Sequence, residues 1–175
     1  KSDAADTDLW QVPSAGGKGR ALAAAPGAES EPAWSPDGRW LAFVAQRKGD
    51  TAPQVYLVPR GKNKARRLTS VPTGVYGIRW FPDSTRLAFV SRIWPELAAW
   101  AEQGRRLKER HGRTVSAMVY DTARMRYWDH WIDDRQAHLF QVGIKGGEPT
   151  ALTVDSGLEL PYRSNGAASY DISPR

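Results

Sequence analysis

The densest run of side chains able to do chemistry is Arg126-Tyr127-Trp128-Asp129-His130-Trp131. Arg126 carries a planar guanidinium fork that fits a carboxylate through two parallel hydrogen bonds. Asp129 supplies an acceptor, and His130 an imidazole that titrates near neutral pH. Trp128 and Trp131 offer flat apolar walls with a polar handle. Arg126, Trp128, Asp129, His130 and Trp131 are therefore the candidate substrate-binding residues, with Arg126 facing a substrate carboxylate. The competing account is structural. In it, the two Trp side chains fill a gap between packed sheets while Arg126 and Asp129 pair with each other.

Other candidates carry less. His130, Asp133, Asp134 and His138 are metal-ligating types, but their spacing matches no zinc motif, so no metal is assigned. Ser35 and Ser173 have no His near them in sequence and no oxyanion elbow, which leaves them without the parts of a nucleophile. Gly16-Gly17-Lys18-Gly19 lacks the spacing of a phosphate-binding loop, and no helix follows it. No cofactor is expected, and no catalytic residue is assigned within this chain.

Elements that could position the Arg126 run emerge from an internal repeat. Pro32-Ala33-Trp34-Ser35-Pro36-Asp37-Gly38-Arg39-Trp40-Leu41-Ala42-Phe43-Val44 matches Ile78-Arg79-Trp80-Phe81-Pro82-Asp83-Ser84-Thr85-Arg86-Leu87-Ala88-Phe89-Val90, with Trp34 and Trp80 set 46 positions apart. Trp10 and Tyr56, each in an aromatic-bearing strand upstream, are again 46 apart. A third copy starts at His138-Leu139-Phe140-Gln141-Val142 and leads to Tyr170-Asp171-Ile172-Ser173-Pro174. In the first full copy four short strands are expected, over Ala33–Ser35, Trp40–Gln46, Gln54–Val58 and Ala65–Thr69. Ser35-Pro36-Asp37-Gly38 is the turn joining the first two, since Pro presets φ at the second turn position, Asp suits the third and Gly follows. Four-stranded units of about 40–50 residues are the blades of a β-propeller.

The second copy is interrupted after Val90-Ser91-Arg92. Pro95 and Glu96 suit the first turn of a helix, and His111-Gly112 suits its end. An amphipathic helix is expected over Pro95–Arg110, with Leu97, Trp100, Ala101, Gly104 and Leu107 on its packed face. Glu102 and Arg106 are placed to pair, and Arg105, Arg106, Lys108 and Arg110 to form the wet face. The fold class is thus all-β: a β-propeller fragment of about three four-stranded blades with one helical insertion. Residues 1–31 end one blade, 32–71 form a full blade, 72–153 a blade with the helical insertion near 95–110, and 154–175 begin the next.

Bulk properties agree. Of 175 residues, 41% are hydrophobic and 25% charged, which suits a globular core. The net charge of +6 is scattered, with no nucleic-acid module and no basic stripe interleaved with aromatics, so neither nucleic acid nor membrane is an expected partner. There is no cysteine, which excludes disulfides and thiolate sites but leaves the compartment open.

Trp34-Ser35-Pro36-Asp37-Gly38 with Leu41-Ala42-Phe43, Val55-Tyr56-Leu57-Val58 and Arg67-Leu68-Thr69 resembles the repeat shared by TolB-like propellers and prolyl oligopeptidase family peptidases. Trp94-Pro95 with its helix, then Arg126-Tyr127-Trp128-Asp129-His130-Trp131 and His138-Leu139-Phe140, resembles the propeller of the acylaminoacyl peptidase and dipeptidyl aminopeptidase branch. That resemblance implies a propeller that gates an α/β-hydrolase domain of the same protein, which carries the Ser, Asp and His of a serine peptidase acting on short peptides. No Gly-x-Ser-x-Gly elbow occurs here, so the hydrolase domain is expected outside this chain. The alternative is a TolB-like, non-enzymatic scaffold for protein partners. Three blades do not close a ring, and their open edges also leave a homo-oligomer as an expectation.

Overall fold

The computed structural model describes residues 7–22, 26–112, 126–127, 130–131, 134–158, 160–161 and 170–174. In chain order the elements are β1 (Leu9–Gln11), β2 (Arg20–Leu22), β3 (Glu29–Trp34), β4 (Trp40–Ala45), β5 (Gln54–Pro59), β6 (Arg66–Arg67), β7 (Tyr76–Trp80), β8 (Arg86–Ile93), α1 (Trp100–His111), β9 (Arg126–Tyr127), β10 (His130–Trp131), β11 (Gln136–Gly143) and β12 (Thr150–Ala151). They form two four-stranded antiparallel sheets, β3-β4-β5-β6 and β7-β8-β11-β12, beside the hairpins β1-β2 and β9-β10. No helix among the described residues is long and apolar enough to cross a membrane.

The central strands β4 and β5 are buried almost end to end. Their side chains alternate, and each face meets a different neighbour. Ala42, Val44, Val55 and Leu57 point toward the second sheet and pack with Leu87, Phe89, Phe140 and Val142. Phe43, Ala45, Tyr56 and Val58 point the other way, toward Leu9. A strand apolar on both faces is what stacking of blade on blade requires. Each buried Phe or Leu contributes about 2 kcal/mol.

The repeat extends to hydrogen bonds. The Gly38 N–H reaches the Ser35 carbonyl at 2.8 Å, and the Ser84 N–H reaches the Phe81 carbonyl at 3.0 Å. Gly38 has φ 68° and Ser84 has φ 58°, so the second turn holds a non-glycine residue in the left-handed region. That serine links the blades, because its hydroxyl accepts the Asp37 N–H at 3.1 Å. The Trp80 indole adds a second link, donating to the Ala33 carbonyl at 2.9 Å.

Three expected bounds need correcting. The first strand of the first blade runs over Glu29–Trp34, not Ala33–Ser35. The outer strand of the first blade covers only Arg66–Arg67, not Ala65–Thr69. There the Thr69 hydroxyl takes the Val55 N–H at 3.0 Å, so a side chain ends the ladder. Thr153 does the same for the Leu139 N–H in the second blade. The helix begins at Trp100 rather than Pro95, because residues 94–97 close a separate turn through Leu97 N–H to Trp94 carbonyl, 3.0 Å. Gly112 ends it in the right-handed region, φ −81°, with its N–H on the Lys108 carbonyl.

Candidate functional site at the insertion rim

α1 and the β9-β10 hairpin lie between β8 and β11 in the chain, so the insertion leaves β8 at the end opposite its Pro82-Asp83 turn. The helix is bolted to the blade by Gln103, which is only 2% exposed. Its side-chain carbonyl accepts the Trp94 N–H at 3.0 Å, and its amide donates to the Trp94 and Leu97 carbonyls, both at 2.8 Å. Trp100 packs on Phe140 with ring centroids 4.9 Å apart. Gly104 lies over Pro72, where an added Cβ would come within 3.2 Å of the proline ring.

The other side of the helix is held by charge. Arg110 binds Asp134 at 2.6 Å and Arg106 binds it at 3.5 Å, while Arg106 also bonds Glu96. Arg106 therefore pairs with Glu96 and Asp134 in place of the expected Glu102. Arg106 and Arg110 are half-buried members of a cluster rather than part of a wet face. The Arg106 guanidinium sits 4.7 Å from the Trp94 ring centroid and that of Arg135 sits 5.6 Å from it. Trp94 is 1% exposed, and its indole N–H has no hydrogen-bond partner among the described residues.

Within the Arg126 run, Arg126–Tyr127 and His130–Trp131 form a two-stranded ribbon. His130 pairs with Tyr127, and Trp131 with Arg126, in antiparallel register. Arg126, His130 and Trp131 are thus brought onto one short ribbon, while Trp128 and Asp129 lie outside the described residues. His138 sits in β11, buried, with its ring nitrogens 3.2 Å from the Thr153 hydroxyl and 3.3 Å from Gln136. The Ser35 hydroxyl donates to Asp37 at 2.6 Å and accepts the Trp40 N–H at 2.9 Å, so it is committed to its turn. That bond, with further ones from Arg39, holds the Asp37 carboxyl down at about 2.

A second ionisable group lies on the first strands of the blades. Glu31 interrupts the β3 ladder at φ 52°, at the position that Gly77 fills 46 residues later with φ 62°. Its carboxylate accepts the Ile78 N–H at 3.1 Å. Burial raises its pKa, against the N–H groups of Ile78 and Gly77 and the charge of Arg79. The Tyr170 hydroxyl donates to the Gly77 carbonyl at 2.6 Å, and burial pushes its pKa up.

Sequence reasoning missed Gln103 and Glu31. Gln103 left a signal, because it is a polar residue three positions after Trp100 on the packed stripe. Glu31 left one too, as an acidic residue at a repeat position held elsewhere by glycine.

No family model matches the chain, and no curated protein sequence matches it. Solved structures do. A putative TolB from Agrobacterium tumefaciens superposes with TM-score 0.52 at 20% identity, covering 82% of this chain and 40% of that one. TolB from Acinetobacter baumannii gives 0.51 at 14% identity, covering 86% and 27%. Acylaminoacyl peptidase from Pyrococcus horikoshii gives 0.48 at 18%, covering 69% and 16%. The chain spans less than half the length of the two TolB structures. Their likeness shows the fold: this is an all-β propeller fragment.

Proposed function

We propose that this chain is the substrate-gating propeller portion of a serine exopeptidase or oligopeptidase that hydrolyses short peptides. The observation that carries the reading is the insertion at one rim. A helix and an Arg- and Trp-bearing ribbon interrupt the second blade, and a buried glutamine fixes that helix to its sheet. Blade stacking needs none of these parts, whereas a propeller that faces a catalytic domain and selects peptides does. The sequence resemblance of Trp94-Pro95, Arg126 to Trp131 and His138-Leu139-Phe140 to the acylaminoacyl and dipeptidyl aminopeptidase branch supports the same reading. Acyl transfer from peptide to serine to water would then be carried out by an α/β-hydrolase domain of the same protein. Arg126, Trp128, Asp129, His130 and Trp131 would contribute substrate contacts from the propeller side.

The second reading is a non-enzymatic scaffold, favoured by the superposition on the two TolB structures. Intact mass of the protein from its native gene, with fluorophosphonate labelling, separates the two. A mass well above that of these 175 residues with one labelled serine is expected. A full-length protein without a label would leave the scaffold.

A further inference from the structure

The Arg106, Arg110 and Asp134 cluster can be read as a binding site that already holds an internal ligand. Arg106 and Arg110 are one turn apart on α1, so both guanidiniums project from the same face. Each is half-buried, with 40% and 30% of the side chain exposed. The Asp134 carboxylate lies between them, at 3.5 and 2.6 Å, and Arg106 also bonds Glu96. Two guanidiniums converging on one carboxylate is how proteins recognise a free acid. Beneath Arg106 is the Trp94 ring, whose buried N–H has no acceptor among the described residues.

Asp134 is a weak occupant. It is 53% exposed and lies just ahead of β11, not inside an element. Exposed ion pairs of this kind contribute little and are screened by salt. A carboxylate that also brings apolar contacts would displace it. Glu96, which bonds Arg106, keeps that arginine oriented when Asp134 leaves.

We propose that Arg106 and Arg110 form a site for the carboxylate of a peptide, and that Asp134 occupies it in cis until such a ligand competes. This deepens the peptidase reading by naming a substrate class, peptides with a free acidic end, and in part rests on it. It also moves carboxylate recognition from Arg126 to the helix.

The test reads binding directly, so it does not depend on hydrolysis. The full-length protein is titrated calorimetrically with a short peptide ending in two glutamates and with its C-terminally amidated, glutamine-substituted counterpart. Where the protein cleaves peptides, the titration is run after inactivation with a fluorophosphonate. Asp134→Asn should bind the acidic peptide about five-fold more tightly than the wild type, as expected for releasing one exposed ion pair. Arg110→Gln should lose that binding, and raised salt should weaken it. The amidated, neutral peptide should bind neither protein. Equal affinity of wild type and Asp134→Asn, or unchanged affinity in Arg110→Gln, would overturn the proposal. Failure of serine labelling with these affinities intact would remove only the peptidase reading.

Discussion

The link between the second and third strands runs from Gln46 to Pro53 in the first blade and from Trp94 to Arg135 in the second. In the first blade it is a closed loop organised by one carboxylate. Asp50 accepts the Arg47 N–H at 3.0 Å, the Tyr56 hydroxyl at 2.6 Å and the Arg67 guanidinium at 2.7 Å, and its side chain is 2% exposed. In the second blade the same link opens into a helix and a ribbon. Its buried fastening is a neutral amide, Gln103, and its carboxylate fastening, Asp134, is exposed. Two copies of one blade thus solve the same connection differently. Where the repeat needs only to close, the carboxylate is buried and accepts three hydrogen bonds. Where the repeat departs, a buried neutral amide fastens the helix and the carboxylate pairing with it is exposed.

Breaking the closed link should cost most. Asp50→Ala leaves the Tyr56 hydroxyl and the Arg47 N–H without their acceptor. It should lower global stability by about 3 kcal/mol, read as a fall in denaturant midpoint at constant slope. The pH dependence sharpens this. Burial raises the Asp50 pKa, but the bonds from Tyr56, Arg47 and Arg67 outweigh it, and the net shift is downward. A carboxyl with a lower pKa folded than unfolded contributes fully above the ordinary aspartate value of about 3.9 and loses that contribution as pH falls through the lowered value. Acid titration of wild type against Asp50→Asn should therefore diverge above that range and converge below it. Tyr56 is the counterpart: burial and then the bond to Asp50 push its pKa up to about 12.

Breaking the neutral bolt should cost less and act locally. Gln103→Leu strands the Trp94 N–H and the Trp94 and Leu97 carbonyls. A loss of about 2 kcal/mol is expected, appearing first as faster proteolysis within 94–135 while the blades stay folded. Asp134→Ala should cost least, under about 1 kcal/mol at low salt and nothing measurable at high salt. If Asp134→Ala matched Asp50→Ala, the contrast between the two links would be void.

Much of the fold was legible because it repeats. Trp34 and Trp80 mark equivalent strands, and the Pro-Asp turns sit where Pro and a positive-φ residue require them. The helix was legible as a pattern but began late, since Pro95 and Glu96 fit a helical first turn equally well as the separate turn that Gln103 stabilises. The partner of Arg106 was not legible. Helical spacing offers Glu102, but the choice of Glu96 and Asp134 depends on how the chain returns to β11, a tertiary fact. Ser84 was also hidden, because only the approach of the first blade reveals why a serine takes a glycine's place. Of the candidate set, the sequence located Arg126, His130 and Trp131 as neighbours without revealing the ribbon that pairs them.

The most direct measurement exchanges the two links. The full-length protein is made with residues 94–135 replaced by the closed loop of residues 46–53, and both versions are labelled with fluorophosphonate and assayed on short and long peptides. The account predicts that labelling and folding persist while selectivity for short peptides is lost, through a raised KM on short substrates and new cleavage of long ones. Unchanged KM and unchanged size selection, with labelling intact, would contradict the claim that the insertion is the propeller's working surface.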